Sequence, residues 1–182
     1  MDDKIARYIA LLMEWNQKKN IVGYKTAAEI EQKLIGINLK AIDTMKLNGE
    51  GADIGSGNGS LGILIKIRYP DKRVWFVERN KKKAAFIRFA LHQLKLGCGE
   101  VLAEDLETIS SHPEWDWAVA RRLNLSDKLL ALLWHHIQSN GKIYWITSSA
   151  KVELLKLRVT SQKVTSMQVD HGYWLAEIAH IK

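Results

Sequence analysis

The sequence predicts an α/β fold: a mostly parallel sheet, an antiparallel C-terminal hairpin at one edge, and a helical cap at the N-terminal end. Three observations predict it. From Ala52 onward short apolar runs alternate with amphipathic stretches, the pattern of strands joined by crossover helices. A turn carrying four glycines, Gly55 to Gly62, separates the first run from the stretch that follows it. The chain closes on two strand-like segments around Asp170-His171-Gly172, a tight-turn signal.

The elements follow in order. Ile5, Tyr8, Ile9, Leu12 and Trp15 recur at the spacing of one helical face, and Asp2 and Asp3 can cap its start. A second helix is expected over Glu29–Lys46, so that residues 1–47 form a cap rather than a separate domain. After Asn48-Gly49-Glu50-Gly51 the sheet core begins and runs over residues 48–182. Ala52–Ile54 reads as a strand, Leu61–Arg68 as a helix, Val74–Val77 as a buried strand, and Lys81–Leu96 as a helix that Gly97 would stop. Glu100–Ala103 and Trp115–Ala120 are the third and fourth strands. Asp127–Ile137 reads as a helix capped by Ser126, with Asn140-Gly141 beyond its end. Lys142–Thr147 is the fifth strand, and Lys163–Val169 and Tyr173–Ile181 form the hairpin. Pro70 and Pro113 fall in turn-like places, and no element is assigned between Thr147 and Lys163.

Composition narrows the function classes. With 182 residues, 47% of them apolar, the chain fits one α/β domain with a sizeable core. It has no run of eighteen apolar residues, so no membrane-spanning helix is expected. The start Met1-Asp2-Asp3, with Glu14 breaking the next apolar stretch, does not fit a secretory leader. The single cysteine, Cys98, excludes an internal disulfide and a cysteine-based zinc site, and is expected as an inert packed thiol. His135 and His136 are adjacent rather than at the i, i+4 spacing of paired ligands, so they are expected to be structural and no metal is assigned. A cytoplasmic monomer is expected. The formal net charge of +7 suits either a nucleic-acid footprint or a well-mixed solvated surface.

The chemistry concentrates in Asp53-Ile54-Gly55-Ser56-Gly57-Asn58-Gly59-Ser60-Leu61-Gly62. Alternating glycines after a strand let a ligand approach the backbone and the amides that open the next helix. Glu78, at the end of the following strand, stands where a carboxylate accepts hydrogen bonds from ribose hydroxyls. Gly57–Gly62 also matches the dinucleotide fingerprint G-x-G-x-x-G, which alone is a weak signal. Asp53 favours S-adenosylmethionine instead. A carboxylate two positions before the first glycine is awkward at a buried strand end unless it meets the cationic methionyl end of that cofactor. The fold is then a Rossmann-like class I methyltransferase sheet.

The residues also carry a family resemblance, from about Tyr8 to the C-terminus. Leu11-Leu12-Met13-Glu14-Trp15-Asn16 followed by Asn20, the loop Asp53–Gly62, Glu78 followed by Lys82-Lys83-Ala84-Ala85-Phe86-Ile87-Arg88, the strand Trp117–Arg121 and the closing Tyr173–Lys182 resemble the corresponding motifs of one group. These are the bacterial small-subunit ribosomal RNA guanine-N7 methyltransferases, the glucose-inhibited division protein B family. The resemblance implies a seven-stranded sheet and a ribosomal RNA or small-subunit substrate. By the same analogy Gly55 and Ser60 line the methionine side of the cofactor, Leu106 and Glu107 lie beside its adenine, and Arg121 sits at the cofactor and target-base pocket; Asp53, Ser56, Gly57, Gly59 and Glu78 complete the expected cofactor-binding set. The chain departs from the family at Ser60-Leu61, Asp105, Arg122 and Thr147-Ser148. Ile35–Ile42 stands where the family has a His-x-x-Asp-Ser-Leu motif.

Methyl transfer from a sulfonium is governed by positioning, and guanine N7 needs no general base. The expected catalytic residue is therefore Arg121, which could orient a guanine through O6 or else pair with a structural carboxylate. Arg79, Lys81, Lys82, Lys83 and Arg88 form the densest basic cluster; Arg79, Lys82, Lys83 and Arg122 are the candidate RNA contacts, against a solvated helix face. Lys18 and Lys19 near Trp15 pose the same choice, with Trp15 itself expected in the core. Three alternatives stay open: a methyltransferase for a small molecule or protein, a nicotinamide-dependent oxidoreductase, and a cofactor-binding module without catalysis.

Overall fold

The computed structural model describes residues 2–97, 99–110 and 114–180; the readings placed on Cys98, Pro113 and Ile181 lie outside the described residues. The first helix, α1 (Asp3–Lys19), starts where Asp2 accepts the Lys4 amide at 2.8 Å and ends at Asn20 in the left-handed region. Its apolar face is buried, and Trp15 packs on Phe86 and Phe89 with ring centroids 5.3 and 5.4 Å away.

The second expected helix is interrupted. A four-residue helix α2 (Ala27–Ile30), capped by Thr26, runs into a π-helical stretch, Glu31–Gly36, and then into α3 (Ile37–Ile42). A π turn hydrogen-bonds to the fifth residue on and so widens the helix, a feature frequent at functional sites. Here the periodicity gave the helix but not the break, and the helix stops at Ile42 rather than Lys46, where Thr44 and Met45 bond three residues back.

Seven strands among the described residues form one sheet in the order β3-β2-β1-β4-β5-β7-β6. The strands β1 (Gly51–Ile54), β2 (Val74–Val77), β3 (Gly99–Leu102), β4 (Trp115–Arg121) and β5 (Ile137–Thr147) are parallel. β6 (Gln162–Asp170) and β7 (Tyr173–His180) make the antiparallel hairpin, with β7 inserted beside β5. Side chains alternate across the sheet and feed two apolar clusters. One joins α1 and the cap to α4 (Ser60–Arg68) and α5 (Lys81–Gln93). The other joins α6 (Asp127–His135) and α7 (Ser149–Arg158) to the opposite face.

Three expectations are corrected. α6 ends at His135, not Ile137, and Asn140-Gly141 lie inside β5 rather than beyond a helix. Pairing jumps from Trp115↔Ile137 to Trp117↔Lys142, and a Cβ on Gly141 would stand 2.3 Å from Ile137 Cγ2, so the glycine serves an irregular strand. α5 stops at Gln93 and not at Leu96: Lys95, not Gly97, takes the left-handed conformation, while Leu96 donates to the Leu91 carbonyl at 2.9 Å. α7 was not expected, because it buries only Val152 and Leu155 and leaves Leu154 and Leu157 exposed.

Candidate active site

The chain runs outward from β1 to β2 and β3, then returns to the other side of β1 as β4. Ligands in open α/β sheets bind at such a reversal, outside the carboxyl ends of the strands. The two strands flanking it end in Asp53-Ile54 and in Arg121, so the topology brings the glycine loop and the expected catalytic arginine to one crevice.

Gly55, Gly57 and Gly59 all have positive φ, near +63°, +61° and +78°. A side chain at Gly55 would be strained there and would press on Leu123 Cδ1 at 3.2 Å. Gly62 is needed for a different reason: its Cβ would fall 2.3 Å from the Phe76 ring, so α4 lies close against β2 only with a glycine at this point.

The two acids hold this turn in shape. Asp53 is buried, and its Oδ2 accepts the Gly62 amide in the first turn of α4 at 3.0 Å. Burial pushes its carboxyl up to about 7; the Gly62 hydrogen bond opposes this and the charge of Glu78 adds to it. Glu78 uses both oxygens, Oε2 accepting from Gly57 N at 2.7 Å and Oε1 from Asn80 N at 2.8 Å. Ser56 turns inward, donating its hydroxyl to the Asp53 carbonyl at 2.7 Å.

Two cavities meet at Gly55. One, of about 280 Å³, is lined by Asp53, Ser56, Gly57, Asn58, Ser60, Tyr24, Lys83, Arg121 and Arg122. The other, of about 450 Å³, is lined by Glu78, Arg79, Lys83, Asp105, Leu106 and Glu107. Leu106 is buried, whereas Glu107 stands at the rim in an ion pair with Lys128 at 2.7 Å. Arg79 pairs with Asp105 at 3.5 Å. Lys82 is exposed and Lys83 half-buried; Arg88 is tied down by donating to the Val101 carbonyl at 2.7 Å.

Arg121 is partly buried, and burial, together with the charge of Arg122, lowers its pKa. Its guanidinium donates to the carbonyls of Lys33 at 2.8 Å and Leu34 at 3.4 Å, both in the π-helical stretch, and stands over the Tyr173 ring at 5.3 Å. Arg122 has φ near +56° and donates to the hydroxyls of Tyr173 at 2.5 Å and Tyr24 at 3.3 Å. Both arginines line the cavity while they hold the cap and the hairpin together.

Several residues of this site were missed by sequence reasoning. Tyr8, counted there only as part of an apolar helix face, donates its hydroxyl to the Asn58 carbonyl at 2.8 Å and anchors the glycine turn to α1. Asn16, noted only as part of a motif, accepts the Val22 amide at 3.0 Å and donates to the Tyr24 carbonyl at 3.3 Å, which shapes one cavity wall. Tyr24 and Asn38 carried no local signal, and Tyr173 was noted only as the start of the closing strand; each acts through partners distant in sequence.

The model of the family described as rRNA small subunit methyltransferase G matches residues 1–174. The chain is 31% identical over 140 residues to "Ribosomal RNA small subunit methyltransferase G" of Paracoccus denitrificans, covering 76% of this chain and 72% of that protein. It is 31% identical over 139 residues to the protein of the same name from Xanthomonas axonopodis pv. citri, covering 76% of this chain and 65% of the relative. Among solved structures, the ribosomal protein L11 methylase from Lactobacillus delbrueckii subsp. bulgaricus superposes with a TM-score of 0.67 at 14% identity, over 80% of this chain and 77% of that one. That likeness concerns the fold, including the mostly parallel sheet with its antiparallel C-terminal strands. The sequence matches go further, and on them the chain belongs to the rRNA small subunit methyltransferase G family.

Proposed function

We propose that this chain is an S-adenosylmethionine-dependent methyltransferase acting on small-subunit ribosomal RNA, with guanine N7 as the methyl acceptor. One observation carries the cofactor assignment: a buried carboxyl, Asp53, lines one of two cavities that meet at a positive-φ glycine, while a second carboxylate, Glu78, lines the other. The residues fit the cofactor's chemistry. Asp53 has an oxygen to offer an ammonium group, Gly55, Ser56, Gly57, Gly59 and Ser60 form the adjoining turn, and Glu78 retains lone pairs for ribose hydroxyls beside its two amide bonds. Leu106 supplies an apolar wall for an adenine, with Glu107 at the edge.

When bound, S-adenosylmethionine supplies an electrophilic methyl group, and a base nitrogen with a free lone pair attacks it without a general base. The chain's work is then positioning. Arg121 and Arg122 wall the cavity beside Asp53 and present donors suited to a guanine edge. Lys83 and Arg79 line the crevice and Lys82 is exposed beside them at the start of α5, where the three neutralise RNA phosphates. Cap and sheet act as one domain, and the protein works as a cytoplasmic monomer.

Radiolabelled methyl transfer to small ribosomal subunits and to naked small-subunit RNA tests this, with aniline cleavage to map N7-methylguanosine. Label at one guanine N7 is expected. Label on another atom overturns the N7 assignment, and absence of S-adenosylmethionine binding overturns the cofactor.

A further inference from the structure

Asn38 is fully buried in α3, and its Nδ2 donates to the Ser60 hydroxyl oxygen at 3.1 Å. Its Oδ1 is buried without a hydrogen-bond partner. An unpaired buried acceptor costs free energy, and an apolar side chain of the same size would avoid that cost. Ser60 opens α4 and lines the cavity beside Asp53, and its own amide donates to Asn58 Oδ1 at 3.2 Å. A serine hydroxyl carries one hydrogen. With its oxygen accepting from Asn38, that hydrogen is free to turn toward the cavity.

We infer that Asn38 is a positioning residue: it orients the Ser60 hydroxyl as a hydrogen-bond donor toward the carboxylate of the bound cofactor's amino-acid end. This rests on the cofactor reading above and deepens it. The cavity then meets a zwitterion with matched groups, Asp53 for the ammonium, and the Ser60 hydroxyl with the start of α4 for the carboxylate. The helix that supplies Asn38 follows directly on the π-helical stretch held by Arg121, so the cap sets the polarity of the cofactor site from behind.

The test uses two ligands that share the adenosine and differ in the amino acid: S-adenosylhomocysteine, which has it, and 5′-methylthioadenosine, which lacks it. Calorimetric Kd values and thermal midpoints are measured for wild type, Asn38→Leu, Ser60→Ala and the double variant. Asn38→Leu is expected to keep or raise the thermal midpoint, weaken S-adenosylhomocysteine about tenfold, and leave 5′-methylthioadenosine within about twofold. Ser60→Ala should show the same ligand pattern, and the double variant should lose no more than either single one. Equal weakening of both ligands, a loss confined to stability, or additive losses in the double variant would overturn the inference. If Asn38→Leu does not fold, an unchanged ligand ratio in Ser60→Ala overturns it by itself. Failure of the wild type to bind either ligand is a separate outcome, which removes the cofactor reading and the inference with it.

Discussion

The cavity beyond Glu78 is rimmed by exposed ion pairs, Arg79 with Asp105 and Glu107 with Lys128, from segments that follow β2, β3 and β4. The cavity beneath Arg121 is held by partly buried groups from far-separated elements: Arg121 reaches Lys33 across 88 positions and Arg122 reaches Tyr173 across 51. Exposed pairs are screened and contribute little, whereas buried donors left without partners cost a great deal. The first wall can therefore vary with small effect on the fold. The second couples ligand contacts to the docking of cap, sheet and hairpin, so substitutions there should move binding and stability together.

Asp53→Asn should produce the largest effect. It keeps an acceptor for the Gly62 amide but removes the negative charge, and S-adenosylmethionine binding should weaken about 100-fold. A loss below about threefold would show that the carboxylate does not meet the cationic end. Next comes Arg121→Ala, which removes the guanidinium's hydrogen bonds to the Lys33 and Leu34 carbonyls and should cost about 2 kcal/mol in urea unfolding. Arg121→Lys should recover only part of this, because an ammonium lacks the planar fork. A stability loss near zero would place Arg121 among ligand contacts alone.

The third effect is a pH dependence. Asp53 titrates near its ordinary value of 3.8 when unfolded and near 7 when folded. Between those values the folded state holds the extra proton, so the ligand-free protein should lose stability as pH rises from about 4 to about 7 and level off above. Asp53→Asn should flatten that part of the profile. A cation beside Asp53 favours its ionised form, so S-adenosylmethionine affinity in the wild type should rise through pH 7 with proton release. An affinity that is flat from pH 6 to 8 would contradict the pairing. The smallest effect belongs to the other cavity: Arg79→Ala should change stability by less than about 0.5 kcal/mol. A larger change would erase the contrast between the two walls.

The sequence by itself determined the parallel sheet, the hairpin, the glycine turn and its two acids. Each depends on local physics that a short window carries: strand alternation, positive φ at Gly55, a carboxylate at a strand end, a cap such as Ser126. Where the window misled, packing had overridden propensity, as at Gly141, which lies within β5, and Lys95, which ends α5. The short, mostly exposed α7 has too few buried positions to declare its period. Only the tertiary structure decided what holds the second cavity. A tyrosine on an apolar face gives no hint that its hydroxyl anchors a turn 50 positions away. Nor does a helical period reveal the π turn whose carbonyls Arg121 takes, or the buried amide of Asn38 behind Ser60. Local sequence sets backbone conformation, but a buried polar group acquires its role only from the partner that folding brings to it.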